Sequence, residues 1–476
     1  MTFDFVPNCP PYPYTTAENS PFTRVSLIER VPHIVTDIIN HLHKEILKLD
    51  HKSDADSLRI DETKFIISEL SKIKHEMTTG KVIPLLEHDS VGDVEEYNNY
   101  IKTYFDSQTW LQAPFLLWET YLYRRIKGLF ARSKTLASFD YFEELKIKAL
   151  FQSKTAILKL SKRLVDNLNN CKAQAETATN ADQLAILNEV AFLEVLHNSL
   201  WGNQTDLSMF PDLKAEDLVS MQQKLLSEDA NKSSTIHNDS QKIYDYFLNI
   251  SSNNPDSNIT VGIVLDNSGF ELFGDLLLAT WLIEMNLANK VVFHTKPFPW
   301  YVSDVTPNDF SYVINTLANK STFNTSPDTS PAEIDALVSL ATKWQSYVNS
   351  KKWVVETDLF WTSPYPTCFL PTKNPKLWNS LCDSKLLFFK GDLNYRKLIS
   401  DLEWPVDTPF KKAIGSLSNP IPNAAPNTDN YPVIVALRTS KADVMVGVDS
   451  QIAQQLEDSD PNWRTTGKYG VIQANI

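Results

Sequence analysis

Apolar residues in the first half of the chain recur at three- and four-residue steps. The run VSLIERVPHIVTDIINHLHKEILKL, just after Thr23, has this period, and so do the stretches 62–77, 110–129, 139–168 and 182–200. Side chains at those spacings share one face of an α-helix, so the pattern predicts a series of amphipathic helices. Strand-like runs of Val and Ile are scarce there. An N-terminal helical domain spanning 1–250 is therefore expected. Between about 227 and 258 the chain turns polar and rich in turn formers (SEDANKSSTIHNDSQ, SSNNPDSN), as at a domain boundary.

Beyond it the pattern changes. ITVGIVL, at 259–265, is a nearly unbroken apolar run, the signature of a parallel strand covered on both faces. A helical pattern, FELFGDLLLATWLIEMNL, and a second run, KVVFHT, complete a βαβ unit. WVVET, KLLFFKG and YPVIVALR follow, while STFNTSPDTSPAE and SNPIPNAAPNTDN read as surface loops. The expectation for 251–476 is a three-layer α/β/α domain with a mostly parallel sheet. No internal repeat is visible.

Composition narrows the function classes. The 476 residues are 42% hydrophobic and 22% charged, which is ordinary globular composition. A net charge of −13 opposes binding to nucleic acid or to an anionic membrane. No apolar run is long enough to span a bilayer, and the start of the chain lacks a basic region followed by an apolar one. Cys9, Cys171, Cys368 and Cys382 are scattered, which suits free thiols in a reducing compartment better than a zinc site or disulfides. A cytoplasmic placement is expected, with nuclear access left open.

Parallel sheets bind ligands beyond the carboxyl ends of their strands. Four such ends here are densely polar. Asp266-Asn267-Ser268-Gly269 follows the first strand, with Glu271 in the next helical turn, and Asp304 closes the segment after the second. Lys390-Gly391-Asp392-Leu393-Asn394-Tyr395-Arg396-Lys397 follows LLFF, and Arg438-Thr439-Ser440-Lys441 follows VIVAL. Asp266, Asn267 and Asp304 offer oxygen donors of the kind hard divalent cations prefer. Acidic residues facing a phosphate need such a cation, with Arg396 and Lys441, to offset their charge. Backbone N–H groups of 267–269 at a helix start could add an anion cradle. Each position also has an ordinary role: Asp266 and Asn267 as N-caps, Glu271 as dipole compensation, Asp275 as a structural carboxylate, Asp304 as a loop cap, Arg438 and Lys441 as surface cations. Their coincidence at four strand ends is what points to a site. Glycine-rich dinucleotide loops, the P-loop and H-E-x-x-H are absent. Ser268 also stands where an aspartyl-phosphate phosphatase needs its second Asp.

LDNSGFELFGD, FPWYVSD, KGDLNYRKL and RTSKAD together resemble the metal-dependent damage-control phosphatases. The likeness is to subfamily III, the acidic residue methyltransferase-like group marked by Arg-Thr-x-Lys. TRVSLIERVPHIV, APFLLWETYLYRRI and SLWGNQTDLS extend it over the first half. The resemblance implies that Asp266, Asn267 and Asp304 bind metal. It implies that Asp392, Leu393, Asn394, Tyr395 and Arg396 bind substrate with Asp266 and Asn267, and that Lys441 binds phosphate. Glu271 and Asp304 match S-adenosylmethionine positions in the family's methyltransferase reading. Asn203 and Asp206 are further candidates, with a helix-terminal turn as their alternative role. The implied activity is hydrolysis of small sugar phosphates, including fructose phosphates, with manganese, cobalt, nickel or magnesium. The alternatives are an S-adenosylmethionine-dependent carboxyl methyltransferase, whose usual glycine-rich loop is missing, and a non-catalytic scaffold.

Overall fold

The computed structural model describes residues 13–50, 53–177, 181–205, 234–253, 258–323, 330–418 and 431–476. Its centre is a seven-stranded sheet built from β1 (Thr235–Asn238), β2 (Thr260–Val264), β3 (Lys290–Thr295), β4 (Trp353–Thr357), β5 (Leu386–Lys390), β6 (Val433–Thr439) and β7 (Gly470–Ala474). The strand order is β1-β7-β6-β5-β2-β3-β4. Only the β6–β7 pairing is antiparallel.

Successive residues of a strand point to opposite faces, and both faces are buried here. Val261, Ile263, Leu386, Phe388, Val435 and Leu437 enter one core. Val264, Leu387, Phe389, Ile434 and Ala436 enter the other. That double burial is why β2, β5 and β6 read as unbroken apolar runs rather than as alternating ones. The result is a three-layer α/β/α fold with a helical N-terminal region.

Helices from both halves of the chain cover the sheet. Those that bear on the site are α1 (Val31–Leu47), α2 (Asp54–Thr78), α3 (Phe115–Ala131), α4 (Lys154–Thr177), α5 (Ala181–Trp201), α6 (Phe270–Glu284), α7 (Pro307–Ala318), α8 (Pro331–Asn349) and α9 (Gly391–Leu398). Leu42, Leu70 and Leu122 of α1–α3 share a core with Trp300, Trp361 and Leu398. Leu164, Leu196, Leu277, Val313 and Leu340 of α4–α8 fill the opposite layer. Helices α1–α3 thus pack against residues that follow the strands, whereas α4 and α5 join the layer on one face of the sheet. Among the described residues, no helix is long and apolar enough to cross a membrane.

Several elements differ from the periodicity reading. The run after Thr23 is divided into Pro21–Val25, a π-helical turn Ser26–Arg30 and α1. The stretch 139–168 is two helices, Glu143–Gln152 and α4, broken at Ser153, whose hydroxyl turns back to the Ala149 carbonyl. α3 starts only at Phe115 because Pro114 precedes it in an extended conformation. β1 lies inside the polar stretch 227–258, and its sequence TIHN is only half-buried at the sheet edge. An edge strand needs little apolar signal. Of the two expected surface loops, 324–329 and 419–430 lie outside the described residues, as does Cys9.

Replacing a core side chain at the centre of β2 tests this packing. Ile263→Ala removes a residue with no exposed surface and should cost about 2–5 kcal/mol, read as a lower midpoint in urea denaturation.

Candidate active site

The order β6-β5-β2-β3 places four carboxyl ends side by side. Asp266 and Asn267 follow β2, Asp304 follows β3, Asp392 opens α9 after β5, and Lys441 follows β6. These residues line one small cavity together with Leu393 and Arg396, while Arg30, Phe115 and Glu119 close it from the helical half and Tyr301 from the β3–α7 loop.

That loop is bent hard. Tyr301 and Val302 are consecutive left-handed residues, with φ of 43° and 69°, a conformation that costs energy in a β-branched residue. The turn is secured by the Asp304 amide to the Trp300 carbonyl (3.1 Å), and by Tyr301 stacking on Tyr123 at 4.5 Å. It returns the chain so that Asn267 and Asp304 pair as an isolated antiparallel bridge. The Val305 amide donates to the Asp266 carbonyl (2.8 Å), and the Ser303 hydroxyl donates to Asn267 Oδ1 (2.7 Å). Lys296 bonds the Leu265 carbonyl (2.7 Å) and sits 3.1 Å from the Asp304 carboxylate. Gly391 is needed on the other side: its φ is +78°, and a Cβ there would lie 1.8 Å from Asp266 Oδ2.

Asn203 ties the strand ends together from beneath. Its Nδ2 donates to Asp266 Oδ2 and Glu271 Oε2, both at 2.7 Å. Its Oδ1 accepts from the Thr439 hydroxyl (2.5 Å) and from Lys441 Nζ (2.9 Å). One buried amide therefore links the acid after β2 to the lysine after β6. Asp206 lies outside the described residues.

Glu271 is fully buried and sits behind Asn267 rather than on the cavity wall, accepting from Asn267 Nδ2 (2.8 Å) and pairing with Lys390 at 3.5 Å. Lys390 also pairs with Asp275 at 3.0 Å and bonds Ser199. Burial pushes the Asp275 carboxyl up to about 7, with Lys390 acting against the rise and Glu271 adding to it. The expected anion cradle is not formed as expected. The Asn267 amide reaches Glu271 (3.4 Å) and the Ser268 amide donates to the Ser303 carbonyl (2.7 Å), so both donors serve the loop itself.

Helical geometry divides the DLNYR segment. Asp392, Leu393 and Arg396 fall on the cavity face. Asn394 instead donates to the Lys390 (2.8 Å) and Leu265 (3.2 Å) carbonyls, clamping β5 to β2. Tyr395 packs beneath the Arg438 guanidinium at 4.3 Å. Arg438 is fully buried, not a surface cation. It donates to Asp392 Oδ1 at 2.7 Å and to the carbonyls of Val444 (2.6 Å) and Ala442 (3.0 Å), which shapes the turn carrying Lys441. The Lys441 amide donates to the same Asp392 oxygen (3.0 Å).

Arg396 is held between two carboxylates. It donates to Glu119 at 2.7 Å and to both oxygens of Asp401 at 2.9 and 3.1 Å, with Phe115 over its guanidinium at 3.9 Å. Burial disfavours its charge, but Asp401 and Glu119 outweigh that and raise its pKa. Glu119 also accepts from Tyr301 (3.0 Å) and Arg30 (3.3 Å). None of Arg30, Phe115, Glu119, Tyr301, Lys296 and Asp401 stands out as a site residue in the sequence. One signal was present: Glu119 interrupts the apolar run FLLWETYLY, and a buried acid needs partners.

Asp266, Asn267 and Asp304 line one cavity with two carboxylates and an amide whose oxygen, accepting from Ser303, keeps a second lone pair; that donor set fits a hard divalent cation sharing its remaining positions with water. Among the described residues, no group of three or more His, Cys, Asp or Glu side chains is arranged to hold a metal. A metal here would rest on that mixed set.

Similarity to known proteins extends over nearly the whole chain. The family described as Damage-control phosphatase ARMT1-like domain matches residues 26–456. Proteins called Damage-control phosphatase ARMT1 include that of Bos taurus, 33% identical over 473 residues and covering 98% of each chain. That of Homo sapiens is 32% identical over 459 residues, covering 95% of this chain and 96% of the relative. That of Rattus norvegicus is 31% identical over 463 residues, covering 95% of each. A solved DUF89 family protein from Pyrococcus horikoshii aligns with a TM-score of 0.41 at 12% identity, covering 93% of this chain and 97% of that one.

The close approach at Gly391 makes a direct structural prediction. Gly391→Ala should push the Asp266 carboxylate out of the cavity by about 1 Å, because a packed site cannot absorb the added methyl in place. A crystal structure of the variant with Asp266 unmoved would contradict it.

Proposed function

The chain belongs to the Damage-control phosphatase ARMT1-like family, and we propose that it is a metal-dependent phosphatase that removes phosphate from small sugar phosphates, fructose-phosphate-like compounds among them. One observation carries this reading: Asp266, Asn267 and Asp304 meet Lys441 in a single cavity. The names of the relatives support the phosphatase class.

Phosphoryl transfer depends on positioning and charge neutralisation more than on covalent chemistry, and the chain's residues divide those tasks. Asp266, Asn267 and Asp304 would hold a manganese, cobalt, nickel or magnesium ion. Such an ion supplies Lewis-acid polarisation of the phosphoryl group and offsets charge when bound. Lys441 brings its ammonium to the phosphoryl oxygens from the opposite strand end. Asn203 fixes that ammonium and Asp266 relative to each other. Asp392 acts one step removed from the substrate: its carboxylate is committed to Arg438 and to the Lys441 amide, so it sets the lysine's position. Arg396, already neutralised by Glu119 and Asp401, is better suited to neutral sugar oxygens than to a phosphate dianion.

Packing over the site excludes bulk water, which strengthens these electrostatic contacts. The cavity's volume, about 30 Å³, holds roughly one water. A sugar phosphate is larger than this, so the cavity must widen when one binds.

Phosphate release from a panel of sugar phosphates tests the reading, first in EDTA and then with each of the four metals. Wild type should turn over only with metal, and Asp266→Ala should fall by about 10²-fold or more. Absence of release with every metal and sugar would overturn it.

A further inference from the structure

The cavity has two chemically different ends. One carries the cation-binding oxygens and Lys441, joined through Asn203. The other is supplied by the helical half and by α9, and its charged groups form a connected set: Arg30, Glu119, Arg396 and Asp401. Two cations there face two carboxylates, so that end is balanced before any ligand arrives. Both carboxylates are almost completely buried, which leaves little solvent to screen them.

A balanced, buried, hydrogen-bonding surface suits neutral hydroxyl groups. Hydroxyls can donate to the Glu119 carboxylate, and they can accept from the N–H groups of Arg396 beyond the three it donates to Glu119 and Asp401. The Tyr301 hydroxyl donates to Glu119, which turns its own oxygen lone pairs into acceptors. Phe115 offers an apolar face beside them. A second phosphoryl group, or a carboxylate, would meet Glu119 while Arg30 and Arg396 are already paired with carboxylates. Burial gives that repulsion its force.

Resting on the sugar-phosphatase reading, we infer that this end is a polyol subsite in which Glu119 is the specificity-determining residue. It admits the hydroxylated tail of a sugar monophosphate and rejects a second anionic group, whether the phosphate of a bisphosphate or the carboxylate of a sugar-acid phosphate. The discrimination is a form of exclusion: a second anionic group would lose its water at a buried surface whose arginines are already paired with Glu119 and Asp401. The helical half then does more than cover the site: it selects which phosphomonoesters are processed.

The test compares a hexose monophosphate with the matching hexose bisphosphate, in wild type and in Glu119→Gln, which keeps the shape and removes the charge. Wild type should favour the monophosphate in kcat/KM by about 10²-fold, and Glu119→Gln should shrink that ratio at least about tenfold. A merely structural role for Glu119 would lower both values together and leave the ratio unchanged, and that result would overturn the inference. The inhibition constant of the bisphosphate against monophosphate hydrolysis provides a readout that needs only wild type. It should exceed the monophosphate KM by about tenfold or more, and a bisphosphate that binds as tightly as the monophosphate would also overturn the inference. Monophosphate turnover with no such discrimination defeats the subsite alone. No turnover of either compound with any metal defeats the phosphatase reading and the subsite with it.

Discussion

Buried negative charge is the constraint around which this molecule is arranged. Asp266, Glu271, Asp275, Asp304, Glu119 and Asp401 are almost wholly buried, and Asp392 is nearly so. Isolated carboxylates at that depth would be prohibitively costly. The fold answers with a specific partner for each position. Lys296 stands at Asp304, Lys390 at Glu271 and Asp275, Arg438 at Asp392, and Arg396 at Glu119 and Asp401. Asp266 receives the amides of Asn203 and Asn267. These pairs cross between strand ends, between layers and between the two halves of the chain. The charge balance and the architecture are therefore one problem with one solution.

That solution also explains the division of labour at the site. Residues after β2 and β3 are held by backbone pairing, which gives oxygen donors fixed positions. The residue after β6 is a lysine whose ammonium and backbone amide are positioned by Asn203 and Asp392. Arg396 turns to the helical half, where Glu119 meets it. A sheet edge roofed by residues of the helical half suits hydrolysis of a small polar molecule. Positioning comes from the sheet, and exclusion of water comes from the cover.

Much of this was legible in the sequence, for identifiable reasons. Continuous apolar runs marked β2, β5 and β6 because both of their faces are covered, and polar residues immediately beyond them marked the strand ends. What escaped was whatever depends on distant contact or on helical phase. Reading DLNYR as a string does not show that Asp392 and Arg396 face the cavity while Asn394 and Tyr395 face the scaffold; that follows from one helical turn. Arg438 could be read as a strand-end site candidate or as a surface cation, because nothing local announces Asp392, far back in the chain, as its partner. Glu119 and Arg30 lie far along the chain from the residues they meet, so periodicity could place their helices but not their partners. β1 was missed because a short edge strand carries little apolar signal, and β7 because Gly470–Ala474 offers only two strongly apolar residues, Val471 and Ile472, although it is paired on both sides.

The most direct test of this account is anomalous diffraction from crystals grown with manganese. A peak bound by the side-chain oxygens of Asp266, Asn267 and Asp304, at about 2.0–2.3 Å and with Lys441 facing the same space, is the predicted result. A peak elsewhere on the protein, or a cavity that stays empty at saturating manganese while activity persists, would contradict the claim that these strand ends form a metal-dependent phosphatase site.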